Sequence, residues 1–169
     1  AKEMLARITA MLPINTRGMW IGTFHGLCHR LLRAHHQEAG LLKTFQILDS
    51  ADLVACIKGI LKSLSGDGKR FPPRQVQWFI NNAKEAGLRA DSVTVEDAFS
   101  RQMLEFYQAY EQQCNKEGVV DFAELLLRSY ELLSRNEILR QHYQQRFSHI
   151  LVDEFQDTNL AQYALVKQL

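Results

Sequence analysis

The sequence predicts a mainly α-helical chain, most of which is a helical insertion within a parallel α/β domain. Apolar residues recur at helical spacing through roughly 125 consecutive residues. Two short apolar runs, residues 19–24 and 150–152, are partly β-branched and are typical of buried strands. Each run ends in a polar motif, and open α/β sheets bind ligands beyond such strand ends. An isolated all-α domain, in which both runs are incidental, is the alternative.

Helical periodicity, capping residues and terminating glycines define the individual elements. Helices are predicted at residues 2–12, 26–38, 50–64, 73–86, 95–117, 121–134, 137–146 and 159–169. A short extended segment is predicted at residues 45–48. Asp121 and Thr158 are the predicted N-caps of the helices that follow them.

The segment 65–70 contains Gly-Asp-Gly-Lys, which superficially resembles a phosphate-binding loop. It lacks the spacing G-x-x-x-x-G-K-[ST], and it follows a predicted helix rather than a strand. We therefore predict a surface loop that does not bind a nucleotide.

Charge is unevenly distributed along the chain. Residues 1–90 carry 13 Lys/Arg and 6 Asp/Glu, a net +7, whereas residues 91–169 carry 7 and 13, a net −6. Such asymmetry indicates a nucleic-acid-binding face in the first half. Packing of two oppositely charged surfaces against each other is the alternative.

The three cysteines are widely separated and form no C-x-x-C motif. This spacing argues against a zinc site or a disulfide framework and favours a reducing compartment.

No apolar run approaches the ~20 residues of a membrane span, and the first residues do not form a signal peptide. We therefore expect no membrane partner. Both ends of the sequence have a helical pattern, so we expect a piece of a longer protein.

The most informative stretch is Ile150–Thr158, in which Asp153 and Glu154 follow the second apolar run. A carboxylate at a strand end can hold Mg²⁺ beside nucleotide phosphates, and a neighbouring carboxylate can act as a general base on water. For Asp-Glu alone, the start of a solvated loop is the commoner explanation. The longer string Asp-Glu-Phe-Gln-Asp-Thr is far more specific.

Three segments together resemble the UvrD/Rep/PcrA family of superfamily 1 DNA helicases, in order and in spacing. They are Gly22–Gly26, Val120–Leu126 and Ile150–Asn159. The opening residues 1–8 also resemble the tail of motif Ia of that family. The resemblance covers essentially the whole chain.

The resemblance implies a domain organisation and a set of active-site roles. Residues 1–22 and 148–169 would be pieces of the RecA-like α/β domain 1A, and residues 23–147 would be the helical 1B subdomain. Asp153 would hold the Mg²⁺ of Mg-ATP. Glu154 would be the general base for the attacking water, and Gln156 would sense the γ-phosphate.

The resemblance also implies a DNA-contacting surface. Thr23, Phe24 and His25 match motif Ib, which lies against single-stranded DNA; the alternative is that Phe24 is a core residue and His25 braces the strand end. Basic side chains of the insertion are candidates for non-specific phosphate contacts. These are Arg30, Arg33, Lys58, Lys62, Lys69, Arg70 and Arg74.

For the parent protein, the family implies an ATP-dependent 3′ to 5′ DNA helicase that acts on single strands and single-strand/duplex junctions. Its setting would be DNA repair or replication in the bacterial cytoplasm, with the second RecA-like domain, the 2B domain and repair proteins as partners. The family's phosphate-binding lysine and arginine finger are not in this sequence, so we expect the isolated chain to be inactive. A helicase subunit of a recombination nuclease and a non-enzymatic helical binding domain are the alternatives.

Overall fold

The computed structural model describes residues 2–65 and 71–169, and this part of the chain is mainly helical. The α-helices are α1 (Lys2–Met11), α2 (Phe24–Ala34), α3 (Ser50–Ser65), α4 (Pro73–Glu85), α5 (Ala98–Glu117), α6 (Phe122–Arg135), α7 (Glu137–Arg146) and α8 (Leu160–Val166). Short 3₁₀ helices lie at Thr16–Gly18, Ala90–Ser92 and Phe155–Asp157. Residues 66–70 of the predicted surface loop, with Lys69 and Arg70, lie outside the described residues.

Capping side chains set several helix starts at positions that differ from the predicted ones. The α2 helix begins at Phe24 because the Thr23 hydroxyl accepts a hydrogen bond from the Gly26 amide at 3.2 Å. The α5 helix begins three residues later than predicted, where Asp97 and Ser100 form a capping box. Periodicity does not mark the capping residue itself, so it placed the start of α2 too late and the start of α5 too early.

The predicted N-cap at Thr158 is wrong. Asn159 caps α8, and its side-chain oxygen accepts a hydrogen bond from the Gln162 amide at 2.8 Å. The Thr158 hydroxyl instead donates to the carbonyl of Phe155 at 2.7 Å. The Asp121 cap is confirmed, since its carboxylate accepts a hydrogen bond from the Glu124 amide at 2.7 Å.

The strands predicted at residues 19–24 and 150–152 are wrong: residues 19–23 and 150–152 are irregular within the described chain, and Phe24 begins α2. An extended segment becomes a strand only when a neighbour satisfies its backbone groups, and no described segment pairs with either run. Leu151 is 98% exposed, so its run also lacks the burial that its composition indicated.

The described residues do form one parallel pair, β1 (Gln46–Ile47) with β2 (Val119–Val120). Gln46 lies opposite Val119, and Ile47 lies opposite Val120. The extended segment predicted at residues 45–48 is thereby confirmed. The partner β2 has two residues, which is too short for an alternating pattern to reveal.

Buried side chains fall into two clusters. The first core joins α2, α6, α7 and α8 with Phe45, and the second core joins α3, α4 and α5. The predicted insertion, residues 23–147, instead groups α2, α6 and α7 with α3–α5. The domain boundaries remain a prediction, but the buried contacts tie α2 and α6 to α8.

Most of the predicted apolar stripes are buried, including Met103, Phe106, Tyr107, Tyr110 and Cys114 of α5. Six described members of these predicted stripes are exposed: Met4, Leu5 and Leu12 in or next to α1, and Leu64, Phe99 and Phe122. The last three lie in the first or last turn of a helix, where packing covers only part of each side chain.

Candidate nucleotide and DNA sites

The predicted catalytic residues lie together in one exposed turn. The Glu154 amide donates to Asp153 Oδ1 at 3.0 Å, and the Gln156 side-chain amide donates to the Glu154 carboxylate. The Asp157 amide closes the turn on the Glu154 carbonyl at 2.9 Å. The turn therefore brings Asp153, Glu154 and Gln156 to one place without any contribution from the two cores.

Glu154 has a left-handed backbone conformation, with φ 51° and ψ 43°. Among the described residues, it is the only non-glycine residue with positive φ. This conformation costs a residue with a Cβ atom roughly 1–2 kcal/mol. Strain of this kind is commonly retained where function needs a particular side-chain position.

The carboxylates of this turn fit a shared rather than a protein-only metal site. Among the described residues, no group of three or more His, Cys, Asp or Glu side chains is placed to hold a metal ion. Mg²⁺ usually keeps several waters and takes one or two protein carboxylates together with substrate phosphates. The exposed Asp153 and Glu154 suit that kind of coordination.

An open cleft of about 630 Å³ lies beside the turn. One wall is the end of α4, at Asn82, Glu85 and Ala86. The other wall is formed by the 3₁₀ helix and the start of α8, and its residues are Phe155, Gln156, Thr158, Asn159, Leu160 and Tyr163. The side chain of Gln156 is therefore placed at the boundary between the turn and the helical body.

Thr23, Phe24 and His25 each make a structural contact. Thr23 caps α2, Phe24 packs against the first core, and the His25 ring meets the Phe122 ring edge-on at 5.7 Å. Burial lowers the pKa of His25 below its ordinary value, and the Glu85 carboxylate opposes that shift. The packing of Phe24 agrees with the core alternative, and DNA contact by these three residues stays a prediction.

Arg30 and Arg33 lie on the same helix in different environments. Arg33 donates to the carbonyls of Lys43 at 2.8 Å and Phe45 at 2.6 Å, and it stacks on the Phe45 ring at 3.9 Å. Arg30 lies over the Trp20 ring at 4.4 Å, and in the described chain it has no ion pair or hydrogen bond. Arg33 is thus occupied within the protein, whereas Arg30 has free donors.

Comparison with known proteins gives the family directly. Residues 1–169 match the model of the UvrD/REP helicase N-terminal domain. The chain belongs to this family. The UvrD/REP domain of this chain is 51% identical over its full length to DNA helicase II of Haemophilus influenzae, and it covers 24% of that protein.

Two further relatives show the breadth of the family. The chain is 48% identical to DNA helicase II of Escherichia coli and 37% identical to the ATP-dependent DNA helicase PcrA of Bacillus subtilis. Both matches include the whole chain, which covers 24% and 23% of the two relatives. This UvrD/REP domain therefore spans about a quarter of the length of the relatives it matches.

A buried ionic network, which the sequence did not reveal, joins the two cores of the UvrD/REP domain. Asp121 Oδ2 accepts hydrogen bonds from Lys84 Nζ and from the Tyr110 hydroxyl, both at 2.7 Å. Lys84 also pairs with Glu124 at 2.9 Å. Lys84 and Asp121 are each 2% exposed and Glu124 is 4% exposed, so the charges neutralise one another away from water.

Arg89 extends the network toward the surface. Its guanidinium contacts both carboxylate oxygens of Glu124, at 2.9 and 2.8 Å, and both of Glu131, each at 2.8 Å. It also reaches Glu111 at 3.2 Å. Arg128 donates to Glu124 from the next turn of α6 at 2.8 Å. Glu124 thus has three cationic partners.

The network holds its members charged. Burial alone would raise the pKa of Glu124, but Lys84 and Arg89 hold it well below its ordinary value. Burial alone would lower the pKa of Lys84, but Glu124 and Asp121 raise it above its ordinary value. One signal in the sequence could have identified Lys84: it continues the apolar stripe Val76, Ile80 and Ala83 at inward positions of α4.

The network also explains part of the charge asymmetry. Lys84 and Arg89 belong to the basic half of the chain, and their partners belong to the acidic half. The alternative interpretation of that asymmetry, packing of oppositely charged surfaces, therefore applies to these residues.

In the described chain, no helix is both long enough and apolar enough to cross a bilayer.

Proposed function

We propose that this chain is the part of an ATP-dependent DNA helicase that supplies the metal-binding and water-activating carboxylates for ATP hydrolysis. One observation carries the proposal: Asp153, Glu154 and Gln156 share a single exposed turn, and Gln156 lines an open cleft beside it. Membership of the UvrD/REP family supports it.

Each residue of the turn has a role that suits its chemistry. Asp153 holds the Mg²⁺ of Mg-ATP, and that ion supplies neutralisation of phosphate charge when it is bound. Glu154 orients the attacking water and accepts its proton. The Gln156 amide, hydrogen-bonded to the Glu154 carboxylate, contacts the γ-phosphate and links the presence of that group to the position of the base.

On the DNA side, Thr23–His25 and Arg30 lie near the single strand. The contacts are to phosphates and base faces, which makes binding independent of sequence. The parent protein moves 3′ to 5′ on single-stranded DNA and opens duplex at junctions during repair and replication. The second RecA-like domain and the 2B domain of the parent supply the remaining contacts. The relatives' names as DNA helicases support this assignment.

The test is Glu154→Gln in the full-length parent protein. Loss of a general base is expected to reduce DNA-stimulated ATP hydrolysis by roughly 10²- to 10⁴-fold, with nucleotide binding retained. Glu96→Gln is the matched control, since Glu96 is exposed and lies before α5, far along the chain from the turn. Unchanged turnover in the Glu154 variant would refute the proposal and favour a non-enzymatic binding domain.

The isolated chain offers a second test. Without a phosphate-binding lysine in its sequence, it is expected to show no ATP turnover above that of its own Glu154→Gln variant. DNA-stimulated turnover above that control would show that the 169-residue chain holds a complete site.

A further inference from the structure

We propose that a cationic and aromatic surface on α2 and α7 binds the phosphate backbone of single-stranded DNA. We call it the Tyr143 surface, and it consists of Trp20, Arg30, His35, His142, Tyr143 and Arg146. The inference rests on the proposed DNA-binding function, and it assigns to that function residues of α7 that the motifs do not include.

Aromatic packing beneath the Tyr143 surface fixes its centre, since Tyr143 itself is only 4% exposed. The Trp20 ring lies edge-on to Tyr143 at 5.4 Å and to Phe147 at 5.3 Å. Its face is covered by the Arg30 guanidinium at 4.4 Å. A guanidinium that stacks on a ring keeps its N–H groups at the periphery, where they remain available to a phosphate.

The α7 helix contributes the second cationic side. His142 and Arg146 occupy positions i and i+4 on the exposed face of the helix, whereas Tyr143 points inward. The His142 ring meets the Tyr143 ring edge-on at 5.1 Å, and His35 forms a hydrogen bond with the Tyr143 hydroxyl at 2.8 Å. Burial raises the pKa of Tyr143, and the charges of Arg146 and Arg30 oppose that shift from both helices.

The free arginines of α2 and α7 are both in this surface. Arg33 is occupied by the carbonyls of Lys43 and Phe45, and Arg140 is occupied by those of Leu133 and Ser134. Arg30 and Arg146 have no ion pair or hydrogen bond within residues 2–65 and 71–169. Two unpaired guanidiniums beside one tyrosine make a site rich in donors.

Few acceptors in the surface compete for these donors. The α2 helix has no carboxylate in its sequence. The one carboxylate paired with a group of the surface, within the described chain, is Glu38, which lies 4.0 Å from His35 Nδ1. The indole Nε1 of Trp20 is itself buried, so the donors of the surface are the two guanidiniums. Positive charge, free donors and the partly exposed Trp20 ring are features with which proteins follow a single strand.

The two tryptophans of the chain, Trp20 and Trp78, provide a local readout. Trp78 is 65% exposed and lies on α4, in the other core region. In the Trp78→Phe variant, titration with a 16-nucleotide oligothymidylate at low salt is expected to change the emission of Trp20. In the Trp20→Phe variant, the emission of Trp78 is expected to stay constant under the same titration.

The double variant Arg30→Gln/Arg146→Gln tests the phosphate contacts. Loss of two contacts is expected to weaken oligothymidylate binding roughly tenfold and to reduce the slope of log K against log salt by about 1.4. Arg101→Gln/Lys116→Gln is the matched control, because it removes the same charge from exposed positions of α5. Far-UV circular dichroism and melting temperature check that both variants are folded.

The outcomes separate this inference from the proposed function. An unchanged affinity and salt slope in the Arg30/Arg146 variant would overturn the Tyr143 surface and leave DNA binding elsewhere on the chain. Absence of oligothymidylate binding at low salt would also overturn it, while the Glu154→Gln assay judges ATP hydrolysis separately. If the Trp20 emission changes with polyglutamate but not with oligothymidylate, the surface binds an acidic protein partner rather than DNA.

Discussion

Two groups of acidic residues in this chain have opposite environments. Asp121 and Glu124 are buried and each contacts cationic side chains at 2.7–2.9 Å. Asp153 and Glu154 are exposed, and in the described chain their side-chain hydrogen bonds stay within one turn. A carboxylate surrounded by protein cations therefore stabilises the fold, whereas an exposed carboxylate keeps lone pairs available for a metal ion or water.

The ionic network also shows how two small cores are held together. Lys84 and Arg89 lie on or just after α4, beside the second core, and their carboxylate partners Asp121 and Glu124 lie at the start of α6, beside the first core. A buried ion pair is not strongly stabilising relative to an apolar pair, but removal of one partner leaves an uncompensated charge. The network therefore fixes the position of α4 on α6.

The largest expected effect comes from the matched pair Glu124→Gln and Glu154→Gln. The first leaves Lys84, Arg89 and Arg128 without their shared counter-ion, and we expect a loss of about 3–5 kcal/mol in free energy of unfolding. The second changes an exposed side chain, and we expect a change within about 0.5 kcal/mol. Urea denaturation followed by circular dichroism measures both. Equal losses in free energy of unfolding for the two variants would show that the two acidic groups do not differ in this way.

The pH dependence of stability provides a second test of the buried carboxylate Glu124. The pKa of Glu124 is lowered from 4.5, so its contribution is complete above pH 4.5 and is lost as the pH falls through the lower folded value. The stability difference between the wild type and Glu124→Gln should therefore shrink below pH 4.5. Denaturation curves at pH 7, 4.5 and 3 test this; a difference that stays constant would contradict it.

Lys84 contributes to the alkaline side of the dependence of stability on pH. Its pKa is raised from 10.5, so its contribution is complete below pH 10.5 and is lost as the pH rises through the higher folded value. In Lys84→Met, the alkaline loss should be weaker than in the wild type. Denaturation at pH 9 and 11 measures the change, and an unaltered alkaline limb would exclude this role of Lys84.

A smaller effect is expected where β2 meets the end of α5. Gly118 has φ +67°, and a Cβ atom there would lie 2.6 Å from Leu42 Cδ1. Gly118→Ala should cost roughly 1–3 kcal/mol through backbone strain and crowding. Gly59→Ala is the control: its Cβ would meet nothing within 4 Å, and Ala in a helix should stabilise by about 0.5–1 kcal/mol. Thermal denaturation measures the change in stability of both variants. A change of the same sign in both would contradict this explanation of Gly118.

The smallest effect concerns the strained turn. Glu154→Gly removes the Cβ atom at φ 51°, and it should leave the folded chain as stable or more stable by up to about 1 kcal/mol. In the parent protein the same change removes the proposed base. A gain in stability with a loss of ATP hydrolysis would show strain retained for function, whereas a loss of stability would show that the side chain supports the fold.

Much of this architecture could be predicted from local pattern. Apolar residues at helical spacing predicted the α-helices of the described chain, and in most of them burial of one helix face is recorded in the residues of that helix. The α1 helix is an exception, since it has no buried residue. Asp121 and Gly118 were predictable as a cap and a stop for the same local reason. The string Asp153–Thr158 was specific enough to indicate the family, and the comparison with known proteins confirmed that resemblance.

Other features depended on contacts between distant residues. The two predicted strands have no described partner, the β1–β2 pair joins residues more than 70 positions apart, and Lys84 meets Asp121 across 37. Arg30 and Arg33 were equivalent by charge, yet one covers an indole and the other is held by two carbonyls. The helices and the family could be read from the sequence alone, since both are recorded in neighbouring residues. Only the tertiary structure decided which charges are buried and which are free, because that depends on what packs against them.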